Sequence, residues 1–434
     1  VNPPVKRNMF MRREPGQTFY LATQGCKVNQ YETQAIRETW LSDGLMETED
    51  PALADIVLIN SCAVTERAVL DLGKLVRGFA AITPRPEIVV AGCAVEADRE
   101  RVLALGVDAV IGQRGKSAPE TDSGAGPPFP DMRISGYKRS RAVIKVQDGC
   151  SHRCTYCIIP STRGRSVSRE GREVIAEARR LLDSGVRELS LCGINLRQYG
   201  RDLSPRRDFW DLLAEVDRAL APEWAGRARL RLGSLEPGDL HAKALDALNR
   251  SRLMCPHLHL SLQSGSPAVL RRMGRGHYSP EDVVDFLESL PALWPVFGLG
   301  ADIIAGFPGE TGEHFAETLE LAARLPLSYA HVFPYSERPG TPAASFSPAV
   351  PGHVRRQRAK ALRRTVAEKR RQFLTRLLGL DSMSVALEED GSGMNEFYVE
   401  CAVEGGGPLR ELVRVAPLTL SDRGLRVQNV EGGS

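Results

Sequence analysis

The chain of 434 residues carries 42% hydrophobic and 26% charged residues and a formal net charge of +3. That is the balance of a globular protein of two or three domains with a large core, and the charge is too small to name a partner. No apolar run reaches the roughly 20 residues of a membrane helix. The basic start, VNPPVKRNMFMRREPGQ, is followed by no apolar signal core, so residues 1–16 are read as a disordered terminus and the compartment as the cytoplasm. Nine cysteines, odd in number and unevenly spaced, do not make the dense framework of a small secreted fold. They point to metal or thiol chemistry.

In chain order, residues 17–114 alternate strands and helices. TFYLAT, ADIVLIN and EIVVAG read as strands, residues 30–41 and 64–80 as helices, and residues 107–112 as a further strand. The alternation predicts a parallel α/β sheet. Cys26, Cys62 and Cys93 each follow one of its strands. Parallel strands point their carboxyl ends one way, so three thiols distant in sequence can meet at one edge. The plainer alternative is three small buried hydrophobes. Residues 115–133, rich in Gly, Pro and Ser, read as a linker; the GQRGKS before it lacks the spacing of a phosphate loop.

Residues 134–365 contain six strand-like segments separated by helical ones. RAVIKVQDG, RELSLCGIN, ARLRLGSLEP, HLHLSLQSG, FGLGADIIAGFPGE and YAHVFPYS each end in polar or glycine-rich turns. Six such units predict a partial (β/α)6 barrel with its chemistry at the carboxyl ends of the strands. A basic helix follows to residue 376: residues 353–376 hold ten Arg and Lys against Glu368 alone. It is either an RNA-facing surface or a solvated helix packed on the barrel. Residues 377–434 alternate apolar and polar residues in short strands, which predicts a small β-barrel. From Leu380 onward it holds four Arg against ten acids, so it lacks a strongly basic face.

The stretch DGCSHRCTYCIIP places Cys150, Cys154 and Cys157 after the first barrel strand. Three thiolates on one loop suit a soft metal centre. A closed zinc site needs a fourth ligand, for which His152 is the neighbour at hand. An iron–sulfur cubane can instead leave one iron open, and the CxxxCxxC spacing differs from the electron-transfer ferredoxin pattern. His257 and His259 share a strand face and are read as hydrogen-bonded barrel histidines. Asp302, on the strand leading into GFPGET, has a structural reading as well. Cys192, Cys255 and Cys401 are read as packing residues.

CxxxCxxC at this place, with Tyr156 between the second and third cysteines, resembles the radical S-adenosylmethionine (SAM) enzymes. TQGCKVNQYETQ, NSCAVTERA, AGCAVE, LCGINLRQYG, LHLSLQSGS and HVFPYSERPGTPAA narrow the resemblance to their methylthiotransferases, over almost the whole chain after residue 17, with the terminal barrel where that family carries a TRAM domain. The resemblance implies two 4Fe–4S clusters. Cys150, Cys154 and Cys157 would hold the radical-generating one and Cys26, Cys62 and Cys93 an auxiliary one that handles sulfur. SAM would be the cofactor, with Tyr156, Glu236, Gln263 and Gly306 as candidate contacts. It implies no general acid or base beyond the cluster ligands, since the carbon attacked is not acidic enough for one.

Three subgroups of the family differ in substrate: isopentenyladenosine at position 37 of tRNA, threonylcarbamoyladenosine at the same position, and an aspartate of a ribosomal protein. GCKVNQYET resembles the threonylcarbamoyladenosine type. The implied partners are a tRNA anticodon loop, an electron donor of flavodoxin or ferredoxin type and a sulfur source, with the enzyme a monomer. STRGRSVSR (161–169) is expected to put positive charge at the entrance for that loop. The readings from other classes are a cysteine-rich zinc protein and a non-catalytic RNA-binding protein, which iron and acid-labile sulfide content would separate.

Overall fold

The computed structural model describes residues 14–113, 129, 132 and 134–430. Residues 1–13 of the expected disordered terminus and nearly all of the expected linker lie outside them; of residues 14–16, Gly16 donates its N–H to the Gly44 carbonyl at 2.9 Å.

The first sheet is wholly parallel, in the order β2 (Met46–Glu47), β1 (Thr18–Thr23), β3 (Ile56–Ser61), β4 (Glu87–Gly92), β5 (Ala109–Ile111). Its crossovers are α1 (Lys27–Ser42), α2 (Glu66–Ala80), and the short α3 (Cys93–Ala97) and α4 (Arg99–Leu103). β3 is buried at every position, as a central parallel strand covered on both faces must be. Thr65 starts α2 by accepting from the Ala68 N–H, one of the donors a helix leaves open at its first turn.

The central region pairs β6 (Arg141–Asp148), β8 (Glu188–Gly193) and β9 (Arg229–Leu232) in parallel, with β7 (Val167–Ser168) antiparallel at the edge. A second parallel set holds β10 (His257–Gln263), β11 (Gly298–Ala305) and β12 (Tyr329–Pro334). Isolated bridges at Leu230–Met254 and Leu235–Leu260 join the two sets into one partial barrel. Around it lie α5 (Ile159–Arg163), α6 (Gly171–Asp183), α7 (Phe209–Trp224), α8 (Ala242–Arg250), α9 (Pro267–Arg272), α10 (Pro280–Ser289), α11 (Gly312–Arg324) and the long α12 (Gly352–Leu377). Capping boxes at Asp208, Ser279 and Thr311 fix the starts of α7, α10 and α11.

Leu189, Leu191, Leu230, Leu232, Leu258, Leu260, Leu299, Ala301 and Ile303 face outward into one core shared with these helices. Strand alternation turns their neighbours inward. The lumen is therefore polar: Lys145, Glu188, Ser190, Arg231, His257, His259, Asp302 and Tyr329 lie on that face. Tyr31 and Ala35 of α1 belong to the outer core as well, so the amino-terminal unit closes the open side of the barrel. On the other side of the gap, after β12, Ser336 accepts from the Glu66 N–H at 3.0 Å and Arg338 pairs with the Glu66 carboxylate at 2.7 Å.

The last five strands, β13 (Met383–Leu387), β14 (Ser392–Asn395), β15 (Glu400–Glu404), β16 (Leu412–Leu420) and β17 (Gly424–Asn429), form a closed barrel in the order β13-β14-β15-β17-β16. It covers the amino-terminal ends of the central strands. Arg229 reaches the Ser384 and Met394 carbonyls at 2.9 and 2.6 Å, and Arg231 those of Asn395 and Glu396 at 2.9 and 3.1 Å. Ser140 donates to the Leu387 carbonyl, and Arg141 pairs with Glu388. The expected α/β architecture with a terminal β-barrel is the one found.

Candidate metal centres and substrate chamber

β1, β3 and β4 are adjacent in the sheet, and Cys26, Cys62 and Cys93 stand just beyond their carboxyl ends. The Cys26, Cys62 and Cys93 charges act on one another. Gly25 adopts a φ of +93°, and a Cβ there would lie 3.1 Å from Cys62 Sγ. Glycine lets the backbone turn while this sulfur approaches. Gln113 Nε2 lies 3.2 Å from Cys93 Sγ.

Cys150, Cys154 and Cys157 occupy the loop between β6 and α5. Asn195 and Gln198 amides point at Cys150 Sγ from 3.7 and 3.6 Å, and Arg275 Nη1 lies 3.9 Å from Cys154 Sγ. Burial pushes the Cys62 thiol up to about 11 and the Cys157 thiol up to about 12. A metal entering here would displace protons and leave thiolates to which these N–H groups donate. Among the described residues, the groups whose ligand atoms all converge within 4.8 Å are His152–Glu236–His277 and His259–Asp302–His331; neither cysteine set is one of them. What fits an iron–sulfur cluster is the chemistry of each donor set, three soft thiols brought to one strand edge or one loop.

The two sets are close neighbours. Ile158, next to Cys157, packs in the same cluster as Cys93, Ala94 and Val95. Arg163, with a side chain 1% exposed, holds Glu32 at 2.8 Å, Asp148 at 2.9 Å and Asn29 Oδ1 at 2.7 Å. Lys145, fully buried, completes the quartet with Glu32 at 3.2 Å and Asp148 at 3.0 Å. Burial works against the Asp148 charge, but Lys145 and Arg163 outweigh it and hold this carboxyl below the usual range. Two cations and two carboxylates so locked fix α1 against the CxxxCxxC loop.

The expectation for STRGRSVSR is corrected. Arg163 is spent in this quartet, and Arg169 is buried against Glu177 at 3.0 Å; only Arg165 is exposed. The anticipated basic entrance is mostly internal cement.

Of the four expected cofactor contacts, Tyr156 meets Phe307 of GFPGET edge-on at 6.3 Å. Glu236 is held by Arg275 and His277, each at 2.8 Å. Burial opposes its charge, yet those partners keep its carboxyl below the usual range. Gln263 has a φ of +63° where the β10–β11 register shifts, a bulge that re-aims a side chain at a strand end. Gly306, at φ +76°, donates its N–H to Glu310 at 2.9 Å, and the Arg355 side chain occupies the place a Cβ would take. His257 and His259 both bond the Tyr329 hydroxyl, at 3.1 and 2.9 Å, and His259 also meets Asp302 at 3.2 Å. Cys192, Cys255 and Cys401 are buried. The sequence reading missed Lys27, Glu32, Lys145, Asn195, Gln198 and Arg275. Glu32 and Lys145 carried a signal, being charged residues within otherwise buried helical and strand patterns.

Residues 144–322 match the Radical SAM superfamily, and residues 18–112 match an uncharacterized protein family, UPF0004. The chain is 38% identical over 80% of its length to a threonylcarbamoyladenosine tRNA methylthiotransferase MtaB of Chlamydia pneumoniae, covering 81% of that protein. It is 31% identical over 96% of its length to the MtaB of Thermotoga maritima, covering 98%. It belongs to the radical SAM methylthiotransferases. A tRNA-2-methylthio-N(6)-dimethylallyladenosine synthase of Agrobacterium fabrum is also similar, 33% identical over 86% of this chain and 87% of its own. In fold, the radical SAM methyltransferase TsrM of Kitasatospora setae superposes with a TM-score of 0.55 at 15% identity, over 76% of this chain and 77% of its own. The chain is thus an enzyme of this class acting on tRNA, and its family uses SAM with an iron–sulfur cluster. No helix among the described residues is long and apolar enough to cross a membrane.

Proposed function

We propose that this enzyme places a methylthio group on C2 of threonylcarbamoyladenosine at position 37 of tRNA. The observation that carries the substrate reading is the polar inward face of the central strands. The lumen walls are ionic and hydrogen-bonding: Lys27, Ser190, His259, Asp302, Tyr329. A threonylcarbamoyl group, with its hydroxyl and carboxylate, is matched by such walls, whereas a dimethylallyl group would be better buried among apolar side chains. The MtaB-named relatives support the same reading.

In this proposal Cys150, Cys154 and Cys157 hold one 4Fe–4S cluster and Cys26, Cys62 and Cys93 a second. Bound there with SAM, the clusters supply the low-potential electron, the source of the 5'-deoxyadenosyl radical and the site of sulfur delivery. The chain's own part is position and electrostatics. Asn195, Gln198 and Arg275 point N–H groups at the sulfurs. The Arg163 quartet holds the two thiol sets in register. The terminal barrel shuts the lumen floor against water. Tyr156, Glu236, Gln263 and Gly306 are proposed as the cofactor's surroundings, Glu236 acting through Arg275 and His277. A flavodoxin- or ferredoxin-type donor and a sulfur source complete the cycle.

Mass spectrometry of tRNA nucleosides from a deletion strain tests the substrate. The methylthio derivative of threonylcarbamoyladenosine should vanish and that of isopentenyladenosine persist. The reverse pattern would overturn the reading.

A further inference from the structure

We propose that Lys27 is the cation that reads the substrate's threonyl carboxylate, at a subsite formed with Ser190 and Tyr398 on the lumen floor. The proposal rests on the threonylcarbamoyl reading above and goes on to name the group that recognises it.

Lys27 is the first residue of α1 and follows Cys26, yet its side chain leaves the amino-terminal unit and enters the barrel. Its Nζ lies 3.2 Å from Ser190 Oγ on β8 and 5.4 Å from the centre of the Tyr398 ring, contributed by the terminal barrel. Three structural units therefore meet at one ammonium. Its charge is felt by His257, His331 and Cys192, which puts it in the polar layer of the lumen. The other cations of this layer each pair with a carboxylate, although Arg231 also lies over the Tyr398 ring at 5.0 Å. Lys145 has Glu32 and Asp148; Arg229 and Arg231 share Glu188. The Asp302 carboxylate is turned to His259 at 3.2 Å. Lys27 takes no part in an ion pair among the described residues. An ammonium has three donors, and Ser190 takes one. The remaining N–H donors are free to take a ligand carboxylate as a charge-assisted pair. The site is also at the right depth. On the lumen face of β10, His257 stacks near Tyr398 at 4.8 Å, and farther up the strand the Ser261 carbonyl accepts from Arg275, the residue beside Cys154. A nucleoside with its base toward the radical centre would carry its N6 substituent down toward Lys27.

The test uses the iron-loaded full chain under anaerobic conditions with two anticodon stem-loops: one carries threonylcarbamoyladenosine, the other its threonyl methyl ester, identical but neutral. The wild type should show a KM lower for the acid by about tenfold or more, the scale of a partly desolvated charge pair. Lys27→Met should raise KM for the acid to that of the ester, leave the ester unchanged and spare most of kcat. Lys27→Arg should keep the preference. Uncoupled formation of 5'-deoxyadenosine, measured in each, reports whether the radical centre survives the substitution. If Lys27→Met retains the acid preference, or weakens acid and ester alike as loss of an RNA phosphate or cofactor contact would, the subsite is wrong. Should Lys27→Met lose iron, Ser190→Ala decides, since it loosens the ammonium from a strand remote from Cys26. A reduced acid–ester ratio supports the proposal and an unchanged one overturns it. A wild type that modifies a dimethylallyladenosine stem-loop and neither threonyl one would sink the substrate reading itself, and the subsite with it.

Discussion

Glu188→Gln tests how the terminal barrel is held to the catalytic one. Glu188 is 3% exposed and accepts from Arg229 Nε, Arg231 Nε and Arg231 Nη2, each at 2.8 Å. The same two guanidiniums carry the bonds to Ser384, Met394, Asn395 and Glu396. Removing the carboxylate leaves two buried cations side by side with their counter-charge gone, and breaking a buried pair in this way costs about 3–5 kcal/mol. Glutamine keeps the shape and one acceptor, so the lower end is expected. A local loss of about 3 kcal/mol raises the open population of the docked edge over 100-fold. Amide exchange in β13 and β14, at near-neutral pH, should accelerate by about that factor, while exchange in β3 stays unchanged. Acceleration below about fivefold would show that the triad does not hold the interface.

The same triad fixes a pH dependence. Burial alone would raise the Glu188 carboxyl, but Arg231 and Arg229 overcome it and hold it far below the ordinary range. A folded-state value below the unfolded one gives stability that is present above about pH 4.3 and lost as pH falls through the folded value. Wild-type β13–β14 protection should thus be insensitive to this group from pH 8 to 5, and its share should fade only in strong acid. In Glu188→Gln that acid-dependent part should be missing.

Replacing Cys150, Cys154 and Cys157 together should abolish reductive cleavage of SAM, whereas replacing Cys26, Cys62 and Cys93 should leave measurable 5'-deoxyadenosine and no methylthiolated tRNA; anaerobic assays of both products with iron content check this. Arg163→Met should cost about 3 kcal/mol or more, because Glu32 and Asp148 would lose the buried guanidinium that bridges them at 2.8 and 2.9 Å. Hydrogen exchange should place the loss in α1 and the 150–163 loop, and an effect confined to α5 would contradict the bridging role.

The β/α alternation of the first two units and the apolar–polar alternation of the terminal barrel were legible because periodicity marks which face is buried. Cys26, Cys62 and Cys93 were legible for the same reason: a strand's end is local, and parallel pairing turns three local ends into one edge. The Arg163 quartet was not. Its members stand at 32, 145, 148 and 163, and nothing local distinguishes a solvated arginine from one locked between two carboxylates. Lys27 was hidden in the same way, since its neighbours come from β8 and from Tyr398 in the turn between β14 and β15. Charge counts misled most in STRGRSVSR, where two of the three arginines are buried in pairs.

The same distinction reshapes the basic helix. Of the ten cations in residues 353–376, Arg355 bonds the Tyr335 carbonyl, Arg358 the Glu310 carboxylate, Arg363 the Val332 carbonyl, Arg370 the Arg423 carbonyl and Arg376 the Pro295 carbonyl. These fasten α12 to the barrel strands and their loops. Arg356, Lys360 and Arg364 are exposed and take no such bond among the described residues. Their spacing of four puts them in one row along the helix, a stripe that can follow a phosphate backbone. Replacing all three by Gln should weaken tRNA binding and reduce the slope of log Kd against log salt by about 2 to 3, at roughly 0.7–0.9 per phosphate contact. Thermal stability and uncoupled cofactor cleavage should not move. Arg358→Gln should do the opposite, loosening α12 without changing the slope. An unchanged slope in the triple variant would mean that RNA is met elsewhere and that α12 serves only to brace the barrel.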